Sequence, residues 1–498
     1  MSGTHHPFVE TTTWLGVGGL LVIAGCAGIA GLGDYTGPGG STSVGASGGS
    51  GGVAGATTSS GGTSAGGGGA GGGCLAPEDC PAGENGQRTC INGICGFQCA
   101  ANYDDCDDLV GCEADLRVDK NHCGDCNTAC SASCAAKVCI YPSYIAAGYE
   151  HTCAVMTNGD AYCWGHNQQG ELGDGTGQDR HTPTRIALSG PASQIAGSGR
   201  YQGPNNYVAH SCALLADKTV QCWGSNDYGQ LGIGNTTSST APVAIQALSN
   251  VQQLAVGGSH TCALNDAGTL LCWGHNDHGQ LGTGQVGELY NEWTPHQIMT
   301  GVASVAAGMA HTCVTKANLQ VWCWGSNSDG QLGINSTVQQ PSPVQVTSVA
   351  GNEIRCGLSF TCVRSNFGAG CWGDNVAGQI GDNTQGNDRL VSATLSLNGI
   401  GQGTLELGDY HSTAIVAGTV YVWGENADGQ LGDGTLQRSL TPKALTGLDP
   451  VTMVSAGSLH TCALTSGNVM KCWGSNLSGQ LGDGSVISKS APVDVVWP

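Results

Sequence analysis

Three kinds of residue recur along this chain at spacings that could support chemistry. Cysteines form pairs, Cys153/Cys163, Cys212/Cys222, Cys262/Cys272, Cys313/Cys323, Cys362/Cys371 and Cys462/Cys472. Thiols paired in this way either oxidise to disulfides or sit reduced in a core. Two residues ahead of most first members stand His151, His210, His260, His311 and His460, with His411 before Thr413 and Phe360 before Cys362. Six imidazoles at one repeated place suggest a ring of metal ligands. Replacement by Phe360 argues instead for a repeated hydrogen-bonding group. Asp174, Asp433 and Asp483 each lie between two glycines. Calcium binding is one reading, but aspartate at such a place ordinarily stabilises a turn through its own backbone. No glycine loop precedes a helix-period segment. The residues therefore imply no catalytic group, no metal site and no cofactor.

The elements that must position these residues are set by a repeat. Trp-Gly-x-Asn-x-x-Gly-Gln-Leu-Gly, with small variations, starts at Trp164, Trp223, Trp273, Trp324, Trp372, Trp423 and Trp473, at intervals of 59, 50, 51, 48, 51 and 50 residues. A period near fifty marks a repeat architecture. The third unit shows the pattern. Val251–Gly257 and His260–Leu264 read as strands, Asp266–Gly268 as a turn, Leu270–Gly274 as a third strand, Asn276–Gly284 as a loop, and a fourth strand follows Pro295. Four short strands joined by turns make an antiparallel meander. Seven such sheets close best as an all-β, seven-bladed β-propeller. The fourth strand of the last unit, Ala491–Val496, is expected to pair near Ile140–Gly148 and so fasten the circle.

Gly-x-x-His-Thr-Cys-Ala-Leu, Cys-Trp-Gly and Asn-x-x-Gly-Gln-Leu-Gly-Asp-Gly resemble the repeat of the RCC1-like, or regulator of chromosome condensation, propeller family over residues 140–498. The resemblance implies a seven-bladed propeller. It leaves function open, because the family includes nucleotide exchange on a nuclear GTPase, chromatin binding, light sensing and inhibition of secreted β-lactamases.

Facing strands would place each cysteine pair within disulfide reach. The sixth unit lacks both members, with Thr413 and Val422 in their places, and joint loss is what a covalent pair predicts. Buried reduced thiols are the alternative. Cys356 is left over from the pairs, and a buried free thiol is one reading of it, its state being open in the sequence. Residues 74–139 hold a further twelve cysteines. They read as a small disulfide-rich module, since so few large apolar residues could not build a core without cross-links. Zinc on His122, Cys123, Cys126, Cys130 and Cys134 competes with that reading, and Asp104, Asp105, Asp107, Asp108 and Glu113 could hold calcium.

The N-terminus supplies a compartment in which disulfides persist. An apolar run from Trp14 ends in Ile23-Ala-Gly-Cys26, which resembles a bacterial lipobox and makes residues 1–25 a signal peptide and Cys26 a lipidation site. The first thirteen residues carry no Lys or Arg, a departure from the usual positive start. An uncut helical anchor over Trp14–Gly33 is the alternative. Residues 26–73 beyond the cut are a disordered Gly/Ser-rich tether. The expected location is extracytoplasmic, at an outer membrane or cell surface, with membrane contact by the anchor alone.

Charge narrows the partners. Sixteen basic against 37 acidic side chains give a formal charge of −21. With no Lys/Arg cluster to displace counterions, nucleic acid is excluded as a partner. The informative residues are the departures from the repeat. Unit two carries extra residues between Gly197 and His210, including Arg200, Tyr201 and Tyr207, and the loop after unit three carries Glu288, Tyr290 and Trp293. If strands alternate in direction, both insertions emerge on one face of neighbouring blades. Tyr201, Tyr207, Tyr290 and Trp293 then become candidate anchors for a protein partner, unless they only pack their own loops. The sequence thus points to a monomeric, non-catalytic, surface-tethered binding propeller with an unidentified protein ligand. An enzyme inhibitor or hydrolase-associated protein is the alternative, ahead of a hydrolase or a purely structural envelope protein.

Overall fold

A computed structural model describes residues 138–201 and 207–498 continuously, with short stretches between 86 and 135. Cys26, the tether and most of the cysteine-rich module lie outside the described residues. Within the module, Cys90 and Cys139 are each in a disulfide.

The sequence builds seven four-stranded antiparallel sheets in chain order. In the first blade, Pro142–Ala147 lies innermost, followed outward by His151–Met156, Ala161–Gly165 and Arg180–Ile186. The seventh repeats this with Val451–Ala456, His460–Thr465, Met470–Gly474 and Lys489–Asp494. The second and third strands are almost wholly buried, while outer strands alternate between half-buried and exposed positions. That gradient places the core between adjacent blades. Each blade's tryptophan fills such a gap, and all seven have no exposed surface. At roughly 150–250 Å² buried apiece, each contributes at most about 4–6 kcal/mol.

One set of polar contacts repeats at the junctions. The Trp273 indole N–H and the Thr261 hydroxyl both donate to the Gln230 carbonyl of the preceding blade, at 2.9 Å each. Since that hydroxyl hydrogen is committed, His210 of the preceding blade must donate its Nε2 hydrogen to the Thr261 oxygen, 2.8 Å away. Two glycines of the motif are sterically required. A β-carbon at Gly257 would sit 2.4 Å from His260 Cε1, and one at Gly232, where φ is +71°, would sit 2.6 Å from Trp273 Nε1.

Ring closure differs from the sequence expectation. The last strand pairs with the third strand of its own blade (Lys471↔Asp494, Cys472↔Val493), not with Ile140–Gly148. Pro142–Ala147 is already the inner strand of a complete first blade, so no gap remains for an exchanged strand. The circle is shut by the same junction contacts as elsewhere, the Trp164 indole and the Thr152 hydroxyl donating to the Gln480 carbonyl. The tail adds Trp497, whose ring meets Tyr162 and Trp164 edge-on at 5.7 and 5.8 Å.

The paired cysteines are directly opposite each other on the second and third strands, Cys153↔Cys163 in the first blade and Cys212↔Cys222 in the second. Cys153–Cys163, Cys212–Cys222, Cys262–Cys272, Cys313–Cys323, Cys362–Cys371 and Cys462–Cys472 are all disulfides, each with α-carbons 4.1 Å apart. In the sixth blade Thr413 and Val422 face each other in the same register. A hairpin loop of about ten residues contributes roughly 2.7 kcal/mol per bridge in the chain-entropy account.

Candidate functional site

The histidines are spent on structure. His151, His260, His311, His411 and His460 contact the hydroxyls of Ser211, Thr312, Thr361, Thr461 and Thr152 in the following blade, as His210 contacts Thr261. Burial lowers each of the six to a pKa of about 3, so they are neutral. Nδ1 of five of them has no hydrogen-bond partner among the described residues and is sealed from solvent. The Gly-Asp-Gly aspartates are likewise engaged. Asp433 accepts from the Thr435 backbone and hydroxyl and from Lys443 Nζ, and these bonds outweigh burial to hold its carboxyl below the usual range.

The paired cysteines, singled out from the sequence together with the aromatic anchors, take no part in a functional site. Cys153, Cys212, Cys262, Cys313, Cys362 and Cys462 on the second strands are at most 1% exposed. Their partners Cys163, Cys222, Cys272, Cys323, Cys371 and Cys472 on the third strands are wholly buried. None of the twelve lines a cavity of the central channel. With both sulfurs of each pair bonded to each other, they offer neither a nucleophile nor a metal ligand, and they act as cross-links of the frame. Cys356 is the free thiol among the described cysteines, and burial pushes it up to about 12. Its sulfur, His311 and Cys313 come within 4.8 Å of one another, but Cys313 is already bonded to Cys323.

What the chain displays instead is a set of rigid loops on one face. The backbone after each third strand bonds to the loop between first and second strands, as His166 N does to Glu150 O and Ser225 N to Ala209 O. Both insertions therefore emerge on this side. Each third-to-fourth strand loop is tied down by its motif asparagine. Asn226 accepts from Leu231 N and donates to the carbonyls of Asn235 and Thr237. With the Asn and Gln of the motif buried, the first of the two variable residues between them is exposed or half-buried, and the second is half-buried or, at Ala377 and Ser478, buried. These variable residues include Tyr228 and the exposed side chains Val376 and Leu477, the latter 77% exposed.

The four candidate aromatics are placed differently. Tyr201 and Tyr207 face each other at the end of an extended hairpin, Ala192–Tyr201 with Tyr207–Leu215. The Tyr201 side chain lies outside the described residues. Tyr207 is half-buried, its ring 6.0 Å from Tyr149 and 5.0 Å from His166. It therefore packs partly onto its own surroundings. Tyr290 closes a short 3-10 turn, Glu288–Tyr290, and is 45% exposed, beside Leu289 at 94%. Trp293 is not in an irregular loop. It belongs to the outer strand Glu292–Met299, which starts before Pro295 because an edge strand tolerates a missing N–H. Trp293 is 48% exposed, and its carbonyl accepts from Gly234 N in the neighbouring blade.

Tyr228, which the sequence reading passed over, connects the two insertions. Arg200 lies over its ring at 5.3 Å, the His275 ring lies 4.0 Å away, and the adjacent Gly229 packs against Trp293. The available signal was its position. Among the equivalents Gln169, His278, Asp329, Ala377, Asp428 and Ser478, only unit two has a tyrosine.

At the centre of the same face, the channel mouth is a cavity of about 110 Å³ lined by glycines of the inner loops with Tyr149, Met309, Leu358, Asp409 and Ser458. A second cavity of about 380 Å³ continues down the channel between the inner strands and contains the Arg355–Glu406 pair and Tyr144. Burial raises Asp409 to about 6, partly offset by a hydrogen bond from Ser458. Burial also raises Tyr149 and Tyr410, and the charge of Asp409 raises both further.

Fold and face together define a closed propeller whose frame repeats from blade to blade with few departures and whose loops carry the individuality. The chain belongs to the RCC1-like repeat propeller family. The family model for the RCC1-like domain matches residues 208–436, and two models of the regulator of chromosome condensation repeat match 158–201 with 417–464 and 143–171 with 451–480. The ultraviolet-B receptor UVR8 of Arabidopsis thaliana is 32% identical over 339 residues, 65% of this chain and 74% of that one. Human E3 ubiquitin-protein ligase HERC2 is 30% identical over 349 residues, 66% of this chain but only 7% of the ligase. Yeast RCC1 (Prp20), solved bound to Kap60, superposes with a TM-score of 0.60 at 21% identity, covering 68% of this chain and 83% of that one. At that identity the likeness speaks for the fold.

Proposed function

We propose that this propeller is a non-catalytic protein-binding module, and that its partner docks on the face carrying the two insertions. The observation that carries this is the pair of half-exposed aromatics, Tyr290 and Trp293, of which Trp293 packs against Gly229 next to Tyr228. Aromatic anchors on pre-organised loops lose little entropy on binding. Relatives support the reading. Yeast RCC1 is seen with Kap60, and Prp20p is described by its binding to Gsp1p and histones. The blade disulfides favour an oxidising compartment, and with Cys26 they support a lipid-tethered protein outside the cytoplasm.

The test is capture of partners from the envelope and secreted proteins of the source organism, using the oxidised chain as bait. A second bait carries Tyr290→Ala and Trp293→Ala, and a third Tyr201→Ala and Tyr207→Ala, each checked by a melting curve. A partner held by wild type and lost with the second bait supports the reading. Equal capture by all three moves the site elsewhere, and no specific capture by any overturns the binding role.

A further inference from the structure

The channel mouth carries one charged side chain among the described residues. Asp409 stands in the cavity wall, and among the described residues Ser458 is its hydrogen-bond donor, at 2.6 Å. Among the described residues Asp409 is the one carboxylate that lines the cavity, and its charge helps to raise Tyr149 in the same wall. No Lys, Arg or His lines the cavity among the described residues. Asp409 is half-buried, and even partial desolvation of a carboxylate without a cation is costly. Here that cost is visible as a carboxyl raised to about 6. The cavity, at about 110 Å³, has room for one side-chain head group and little more. Tyrosine rings add attraction for a cation, and Arg200 over Tyr228 shows this face already seating a guanidinium from its own chain.

We infer that the channel mouth is a pocket for one cationic side chain, an arginine or lysine presented by the docked protein, with Asp409 as its counter-ion and the Tyr149 ring as one wall. The inference rests on the docking face proposed above. It adds a polarity: aromatic anchors in blades two and three hold the partner, and the central carboxylate selects a basic residue. Selection arises because an uncharged side chain of the same shape would leave Asp409 uncompensated.

Saturation-transfer NMR on the full chain tests this with three blocked peptides, acetyl-Gly-Arg-Gly-amide, acetyl-Gly-Lys-Gly-amide and the uncharged isostere acetyl-Gly-citrulline-Gly-amide. At least one cationic peptide is expected to bind tenfold or more tighter than the citrulline peptide, and the better of the two identifies the head group. Asp409→Asn should erase that margin. Asp449→Asn, which removes an equal charge from an exposed loop at the opposite end of the channel, should keep it. Met309→Arg, which supplies a guanidinium within the chain, should block the peptide even if Asp409→Asn folds poorly. Equal binding of the citrulline peptide, or a margin that survives Asp409→Asn, overturns the pocket. The two proposals fail separately. If D409N captures the partner like wild type while the Tyr290/Trp293 bait does not, the face stands and the pocket falls.

Discussion

His460 in the last blade donates its Nε2 hydrogen to the hydroxyl of Thr152 in the first, 2.8 Å away across 308 residues of sequence. Thr152 passes its own hydrogen to the Gln480 carbonyl, which also receives the Trp164 indole. The ring is therefore closed by the set of contacts used at the other junctions, and no strand is exchanged. Of those junctions only that between blades five and six lacks the histidine, replaced there by Phe360. Thr152→Val should cost about 1–3 kcal/mol, and Thr312→Val at an internal junction should cost a similar amount in urea unfolding. What is peculiar to the closure is Trp497. Replacing it by Ala should cost about 3–5 kcal/mol and speed amide exchange first in the strands of blades one and seven. Uniform exchange across the ring would show that the tail does not seal the junction.

Acid should unfold the propeller from the junctions. Burial takes the six junction histidines to about 3 in the folded chain against an ordinary value of 6.5. Between those values only the unfolded chain binds the protons. Stability is thus complete above about pH 6.5 and falls as pH drops toward 3, by about 1.4 kcal/mol per pH unit per histidine. Glu150, Asp374, Glu406, Asp409 and Asp428 work the other way, since burial raises their carboxyls and they are protonated in the folded chain first, which offsets part of the histidine slope at the acid end. His411→Phe, which copies the natural Phe360, should fold and should reduce the acid slope by one proton. Melting temperatures from pH 7.5 to 4.5 read this directly, and an unchanged slope would count against buried neutral imidazoles.

Much of this fold was legible because a repeat reports on itself seven times. Period, strand count and disulfide pairs follow from Trp164, Cys153/Cys163 and their copies, and joint loss of the sixth pair at Thr413 and Val422 needed no coordinates. The mode of closure was not legible, because a circular repeat does not say where the chain cuts it. That Pro142–Ala147 is an inner strand decides the matter only once pairing is known. Tyr290 and Trp293 stood out as departures from the repeat. Tyr228 and Asp409 did not, since each is a permitted residue at a variable position. Their meaning comes from neighbours distant in sequence, Arg200 of its own blade and His275 of the next for one, and Tyr149 and Ser458 of other blades for the other.

The cysteine pattern predicts a chemical asymmetry within the propeller. Cys356 should resist alkylation in the folded protein, because burial raises its thiol to about 12 and the thiolate is the reactive form. After denaturation without reductant it should be the one propeller cysteine to take the label. Mass mapping of unreduced peptides should return the six hairpin pairs. Labelling of Cys163, Cys222, Cys272 or Cys371 before reduction would mean that the bridges do not form and would remove the argument for an oxidising compartment.

The two kinds of tryptophan separate structure from recognition. Trp273 is fully buried and its indole N–H bonds to the Gln230 carbonyl, so Trp273→Ala opens a large cavity and leaves a buried acceptor short. A loss of about 3–5 kcal/mol is expected, with partner capture falling only as far as the folded fraction falls. Trp293 is 48% exposed, and its backbone, not its ring, makes the contact to Gly234. Trp293→Ala should therefore cost no more than about 1 kcal/mol while weakening partner capture tenfold or more, as removing a binding anchor does. Urea midpoints and capture yields measured on the same two variants give the comparison. If Trp293→Ala loses stability like Trp273→Ala, its ring is structural; if it loses neither stability nor capture, the docking face must be sought on other loops.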